Sequence, residues 1–195
     1  IEELITIFPI SSYQSFSLRG ILPSHDFTKL QESLKISSVT QNLTRAIDLL
    51  HHASRQGDLE TVEMLLAMHV DPNSGKKGVE HPLYIAAQKG HVEVVRALLV
   101  KGTNPNQEID DGATPLYIAA QLGHVEVVRA LLAHDGIEPN QQKSNGVTPL
   151  LIAAYDGNIK LVRALLDKGA NPNLPMADGA TPLFVAAQNG CFEVV

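Results

Sequence analysis

The chain has no tryptophan, a single cysteine and few aromatic residues, which make up 5% of its 195 positions. A hydrophobic core must therefore be built from leucine, valine, isoleucine and alanine. The lone Cys191 excludes an internal disulfide framework, the usual device of small secreted proteins. We therefore expect a protein that works inside cells, in the cytoplasm.

Clusters of basic residues and long apolar runs are also missing. Acidic residues outnumber basic ones 21 to 15, the net charge is −6, and no block of lysine or arginine occurs. Because nucleic acids are bound through concentrated basic surface, we expect no nucleic-acid partner. No apolar run is long enough to cross a bilayer, so we expect no membrane insertion.

The most prominent feature that is present is a repeated phrase. Residues 82–99 and 115–132 read the same except at one position, where Lys89 is replaced by Leu122. Copies begin at His81, Thr114, Thr148 and Thr181, and a divergent copy begins at Asp48, so the steps are 33, 33, 34 and 33 residues. A fixed period of this length predicts a stack of similar units.

Each unit begins with a short predicted helix. Threonine is a good N-cap and proline suits the first helical position, and this pair starts three of the copies. Two alanines follow, such as Ala119 and Ala120, whose small side chains let a second layer approach closely. A glycine suited to a left-handed C-cap then ends the helix. These glycines are Gly57, Gly90, Gly123, Gly157 and Gly190.

A second apolar-periodic helix completes each unit, with pairs such as Glu93 and Arg96 on its exposed side. Glycines at its end, namely Gly102, Gly136 and Gly169, again indicate C-caps. Turns such as Asp111-Gly112 then predict a hairpin-like loop. Because helices of this length are marginal alone, the units must pack against one another.

With this period, cap, alanine pair and the Gly-His step at His91 and His124, residues 46–195 resemble ankyrin repeats. The resemblance implies an all-α solenoid of helix-turn-helix units joined by hairpin-like loops. The units are expected near 46–80, 81–113, 114–147, 148–180 and 181–195, the last incomplete and expected to be completed by further chain.

Residues 1–45 do not repeat. Phe27, Leu30 and Leu34 share one face of a predicted helix, which we interpret as a cap on the first unit. The alternative is that this segment is the tail of a separate upstream domain.

The first helices depart from the family pattern, in which histidine often follows Thr-Pro-Leu. Tyr84, Tyr117, Leu151 and Phe184 occupy that place here, and only His51 keeps it. Apolar stacking is therefore favoured over a histidine hydrogen-bond chain between units. We interpret the three aromatic residues as packing residues, and the alternative is an interface stripe.

No catalytic, metal or cofactor site is predicted. His91, His124 and Cys191 occupy the same place in different units, which indicates scaffold positions. The chain also has no phosphate-binding glycine motif, no HExxH and no cysteine pair. We therefore expect neither an enzyme nor a metal or cofactor.

The positions that vary between units lie at the end of the short helix and at the loop tip. The resemblance implies that these positions line a concave face that holds partners. The partner-binding residues expected there are Gln88, Lys89, Asp110, Asp111, Tyr117, Gln121, Leu122, Ser144, Asn145, Tyr155, Asp156, Asp178, Gln188 and Asn189.

We expect a non-catalytic, monomeric scaffold or adaptor that binds a protein partner. The alternative is the targeting region of a larger enzyme or of a secreted bacterial effector. Its catalytic part would then lie outside this chain, and an effector would act in the host cytosol.

Overall fold

The computed structural model describes residues 39–74 and 80–194, with side chains from residue 44 onward. The chain divides into two units, Ile1–Leu50 and His51–Val195. The predicted capping helix and the loop at 75–79 lie outside the described residues, and the proposed boundary at residue 45 stays a prediction. In the described ranges, no helix combines the length and apolarity needed to cross a membrane.

The described residues form nine helices. They are α1 (Val39–Gln56), α2 (Leu59–Ala67), α3 (Pro82–Lys89), α4 (Val92–Val100), α5 (Pro115–Gln121), α6 (Val125–Leu132), α7 (Pro149–Tyr155), α8 (Ile159–Asp167) and α9 (Pro182–Gln188). The short helices α3, α5, α7 and α9 pack on each other in that order, and so do α2, α4, α6 and α8. The predicted all-α solenoid of helix-turn-helix units is confirmed.

The predicted starts of the short helices are confirmed. The hydroxyl oxygens of Thr114 and Thr148 each accept the N–H of the residue three positions on, at 3.1 Å, and Thr181 does so at 3.3 Å. A proline follows each threonine at the first helical position. His81 takes the same place in α3, where its Nδ1 accepts the N–H of Tyr84 at 3.4 Å.

The helix of the divergent first copy is longer than the pattern predicts. The pattern predicts a short helix here, but α1 has 18 residues and begins at Val39. The position that holds proline in the later units is Leu49, and the capping position is Asp48. Because Leu49 keeps the backbone N–H that proline lacks, nothing forces a helix start there.

The predicted glycine stops hold with one exception. Gly90 ends α3 with φ 78°, and a Cβ added there would lie 3.0 Å from the His124 ring, so both conformation and space favour glycine. Gly136 is absent from the glycines with positive φ in the described chain. The prediction that Gly136 caps α6 is wrong, because this unit has one extra residue and α6 already ends at Leu132.

Leucine and alanine form the core, as the composition predicts. Leu83, Leu116 and Leu150 of successive short helices are 0–2% exposed, and the paired alanines of the same helices are 0–1% exposed. The buried alanines lie on helices that contact one another in the stack, as the sequence predicts.

Asparagine side chains join successive units at the loop that follows the second helix. Asn106 accepts the N–H of Glu138 on Oδ1 at 2.9 Å and donates from Nδ2 to the Gly136 carbonyl at 2.7 Å. The equivalent bonds run from Asn73 to Asn104 and Gly102, and from Asn140 to Asn171 and Gly169. Each unit therefore satisfies backbone groups of the next one, a role that the sequence pattern did not reveal.

Asn106→Ala is expected to lower the free energy of unfolding by about 1–2 kcal/mol, because it removes two hydrogen bonds between units. Asn173→Ala is the matched control, since no hydrogen bond involves the Asn173 side chain in the described part of the chain. Urea unfolding followed by circular dichroism measures both. Equal midpoints for the two variants would contradict the assigned role.

Ala120→Leu is expected to destabilise the protein by about 1–3 kcal/mol, because Ala120 is 1% exposed between packed helices. Ala187 has the same place in the last unit but is exposed. Ala187→Leu should therefore leave the urea midpoint nearly unchanged. A large loss of stability in Ala187→Leu, or no loss in Ala120→Leu, would contradict the idea that contact with the following unit causes the destabilisation.

Candidate partner-binding surface

The expected partner-binding residues fall into two rows. The inner row contains the last residues of the short helices and those just after them: Gln88, Lys89, Gln121, Leu122, Tyr155, Asp156, Gln188 and Asn189. The tip row contains the loop-tip residues Asp110, Asp111, Ser144, Asn145 and Asp178. The remaining residue, Tyr117, is only 5% exposed and offers a partner little surface.

Stacking of the short helices aligns the inner row. Because α3, α5, α7 and α9 contact one another in sequence, their C-terminal ends follow each other along one side of the stack. Leu122 at the end of α5 is 49% exposed, and Tyr155 at the end of α7 is 53% exposed. Two neighbouring units therefore present large apolar side chains to solvent near the middle of the row.

Two residues of the inner row also stabilise the scaffold. Gln88 Nε2 donates to Glu80 Oε1 at 3.4 Å, and Asn189 Nδ2 donates to the Tyr155 carbonyl at 3.0 Å. Four other residues of the row are exposed, and their side chains make no hydrogen bond or ion pair with the described residues: Lys89, Gln121, Asp156 and Gln188. This second group is available to a partner without loss of a scaffold contact.

The predicted hairpin-like loops are present at the tips. In the second unit the Ile109 N–H donates to the Ala113 carbonyl at 3.1 Å, and the Asp111 side chain accepts the Ala113 N–H at 3.0 Å. Asn145 and Asp178 make the same side-chain bond within their own turns, at 3.2 and 3.0 Å. These three side chains therefore shape the tips that carry them.

Adjacent tips are bonded to each other. The backbone N–H of Ser144 donates to the Asp111 carbonyl at 2.9 Å, and the Ser144 hydroxyl donates to the same oxygen at 2.6 Å. The N–H of Ala177 donates to the Asn145 carbonyl at 3.1 Å. The tip row is thus a connected series of turns, and its side chains have fixed spacing.

Lys143 belongs to this surface although the sequence reasoning missed it. Its Nζ lies 2.9 Å from Asp111 Oδ2 and 5.4 Å from the centre of the Tyr117 ring. Desolvation raises the pKa of the Asp111 carboxyl, but the Lys143 ammonium and the Ala113 N–H outweigh it, so the pKa lies below its ordinary value. Hydrogen bonding to Asp111 in turn raises the pKa of Lys143. The same place holds Ile109 in the preceding unit and Met176 in the following one, so the repeat pattern does not mark a lysine here.

The two rows carry an excess of negative charge. Among the described residues, which leave out the first loop tip at 75–79, the carboxylates are Asp110, Asp111, Asp156 and Asp178 and the cations are Lys89 and Lys143. An apolar centre with acidic surroundings can accept apolar and basic groups of another protein.

The aromatic residues divide by position in the stack. Tyr84 and Tyr117 are 4% and 5% exposed, and burial raises the pKa of Tyr84 to about 12, so its hydroxyl stays neutral. These two are packing residues, as we interpreted them. Phe184 has the same place in α9 but is 57% exposed, because no described unit packs on its far side.

The histidines at the Gly-His step are scaffold residues, as predicted. Nε2 of His91 lies 3.1 Å from the Arg55 carbonyl oxygen, and Nε2 of His124 lies 3.0 Å from that of Gln88. Cys191 has the same place in the last unit, with Sγ 3.9 Å from the Tyr155 carbonyl oxygen. Across the residues that the structure describes, no group of three or more His, Cys, Asp or Glu side chains could hold a metal ion.

Comparison with known families agrees with this geometry. A family model described as ankyrin repeats, in three copies, matches residues 50–143 and again residues 136–195. The chain belongs to the ankyrin repeat family. Ankyrin repeats are in general protein–protein interaction modules, and the family is typically non-catalytic. No curated protein matched the chain in a search of such proteins.

One ankyrin unit contains a buried histidine that caps a short helix. His81 is 2% exposed, its Nδ1 accepts the Tyr84 N–H, and its Nε2 lies 2.9 Å from the Gln107 carbonyl oxygen. A neutral ring protonated on Nε2 satisfies both bonds. Burial disfavours the charged imidazolium and lowers the pKa of His81 below its ordinary value of 6.5.

His81 is expected to make the protein less stable in acid. Its pKa is lower in the folded than in the unfolded state, so its stabilising effect is complete above about pH 6.5 and is lost as the pH falls below that value. His81→Thr, which restores the cap of the other ankyrin units, should reduce the loss of unfolding free energy between about pH 7.5 and about pH 5.5. Urea unfolding at both pH values measures this loss.

His52→Gln is the control for that comparison, because His52 is exposed. It should leave the loss of stability between the two pH values close to that of the wild type. If His81→Thr loses as much unfolding free energy between the two pH values as the wild type does, other groups cause the acid sensitivity.

Proposed function

We propose that this ankyrin chain is a non-catalytic scaffold that binds a protein partner on the surface formed by the inner row and the tip row. The observation that carries the proposal is the pair Leu122 and Tyr155, about half exposed on adjacent units of a stacked row. Tyrosine is enriched among the residues that dominate binding energy, and Leu122 extends the apolar surface beside it.

Rigidity of the surface supports the same function. The tips are joined by backbone bonds such as Ser144 N–H to the Asp111 carbonyl, and the units are joined by asparagine bonds such as Asn106 to Glu138. A surface that is already ordered loses less conformational entropy on binding. The partner therefore meets side chains at a spacing that the stack determines.

The charges of the surface suggest the chemistry of the partner. Asp156 and Gln121 lie next to the apolar pair, and the tips add Asp110 and Asp178. We expect a partner with an apolar side chain for the centre of the inner row and lysine or arginine residues around it. An intracellular site of action is part of the proposal and rests on the single cysteine of the chain.

The proposal is tested with a variant that removes the centre of the inner row. The variant carries alanine at four positions: Gln121, Leu122, Tyr155 and Asp156. Variant and wild type are each immobilised, and an extract of the cells that express the protein is passed over both. Proteins captured by the wild type should bind the variant about thirtyfold more weakly, because a hot-spot residue contributes about 2 kcal/mol or more.

A matched variant replaces four exposed residues of the second helices by alanine: Glu63, Glu93, Arg96 and Val100. It should capture the same proteins as the wild type with unchanged affinity. Thermal unfolding checks that both variants fold. An identical set of captured proteins from the inner-row variant would remove this surface from consideration.

A further inference from the structure

A basic groove lies between the second helices α6 and α8 of two consecutive units. Its volume is about 540 Å³, and it is largely open to solvent. The groove is lined by four cations: Arg129 of α6, Lys160 and Arg163 of α8, and Lys168 directly after α8. Asp167 is the one carboxylate among the lining residues. Four cations therefore share one groove in a chain whose net charge is −6.

Most of these cations are not neutralised by the protein. Arg129 pairs with Glu126 at 3.9 Å, and both side chains are more than half exposed. Within the described ranges, Lys160, Arg163 and Lys168 take part in no ion pair. The groove thus presents positive charge that an external anion can meet.

Lys160 stands out when the units are compared position by position. The same place in α4 and α6 holds Glu93 and Glu126, which pair with the arginine three residues later at 3.7 and 3.9 Å. In α8 the arginine is kept as Arg163, but Lys160 replaces the acid, so the pair repels instead of attracting. A positive charge in the first turn also opposes the helix dipole. Because Lys160 is unfavourable for the stability of α8, its presence points to a function of the groove.

The floor of the groove is aliphatic. Leu132 is buried at 6% exposure and lies among the lining residues, together with Ala133 and Ala164. Apolar contact beside four cations suits a peptide that carries both acidic and apolar side chains. A polynucleotide fits less well, because Asp167 and the negative net charge of the chain repel a continuous row of phosphates.

We propose that the groove between α6 and α8 is a second binding site, which takes an acidic segment of a protein partner. The site is separate from the inner and tip rows, since it is built from the second helices. The chain can then hold two protein segments at once, one basic and apolar on the inner row and one acidic on the outer layer.

The test measures fluorescence anisotropy of a labelled peptide of glutamates interspersed with leucines, titrated with the full chain. Lys160→Glu restores the acid of the neighbouring units, so it should fold at least as well as the wild type. It should weaken binding of the peptide roughly tenfold, because an attractive charge becomes a repulsive one. Lys168→Glu gives a second measurement of the same kind with the same expected direction.

Lys101→Glu is the matched control, because it makes the same change of charge on an exposed residue after α4. It should change the affinity for the peptide by less than about twofold relative to the wild type, whereas Lys160→Glu changes it about tenfold. The inner-row alanine variant should bind the peptide as the wild type does.

Three results would overturn the proposal. The first is that the acidic peptide does not bind, or binds no better than one with lysine in place of glutamate. The second is that Lys101→Glu or the inner-row variant weakens binding as much as Lys160→Glu does. The third is that labelled oligothymidylate binds the groove as tightly as the peptide, which would assign the groove to nucleic acid.

Discussion

The fold depends on contact between units, because none of its short helices is long enough to be stable alone. Eight of the nine described helices have seven to nine residues, and isolated helices shorter than about 12–15 residues are marginal in water. Leucines such as Leu116 and alanines such as Ala120 are buried only because an adjacent unit covers them. Asparagine side chains add hydrogen bonds where one loop meets the next. Stability is therefore a property of neighbouring pairs of units.

The same contacts create the two candidate binding surfaces. Packing buries the sides of each unit against its neighbours. The end of the short helix, the loop tip and the outer face of the second helix stay exposed. Stacking then repeats each exposed position along the chain, so that Leu122 and Tyr155 come from consecutive units, as do Arg129 and Lys160. A partner contacts side chains that are far apart in sequence and adjacent in space. Variation at these positions changes the surface while the packing contacts stay the same.

Much of the fold could be predicted from the sequence because its signals are local. A Thr148-Pro149 pair starts a helix wherever it stands, and a glycine such as Gly90 ends one, since each acts through its own backbone. The failures have equally specific causes. Gly136 was assigned a cap because its spacing resembled that of Gly102, but one extra residue moved it out of the helix. The role of Asn106 was missed because its partners, Glu138 and Gly136, belong to the next unit.

The candidate surface could be predicted less completely. Variation between units identified exposed positions such as Leu122 and Tyr155. Tyr117, which belongs to the row of aromatic residues, is buried by neighbouring side chains. The sequence carries no signal for Lys143, because only the folded chain brings it to Asp111 and the Tyr117 ring. The roles of Asp111 and Asn145 in shaping their own turns likewise appear only when the turns are seen in three dimensions.

The sequence by itself determined the period, the helix starts and the residues able to form a core, because these follow from capping, proline geometry and apolar spacing within one unit. The tertiary structure decided which of those residues are buried. Leu116 and Leu183 are the same residue at the same place in their units, yet one is 1% and the other 53% exposed. A neighbouring unit covers α5 on the side of Leu116, whereas no described unit covers the same side of α9. Burial depends on what packs against a residue, and no local pattern carries that information.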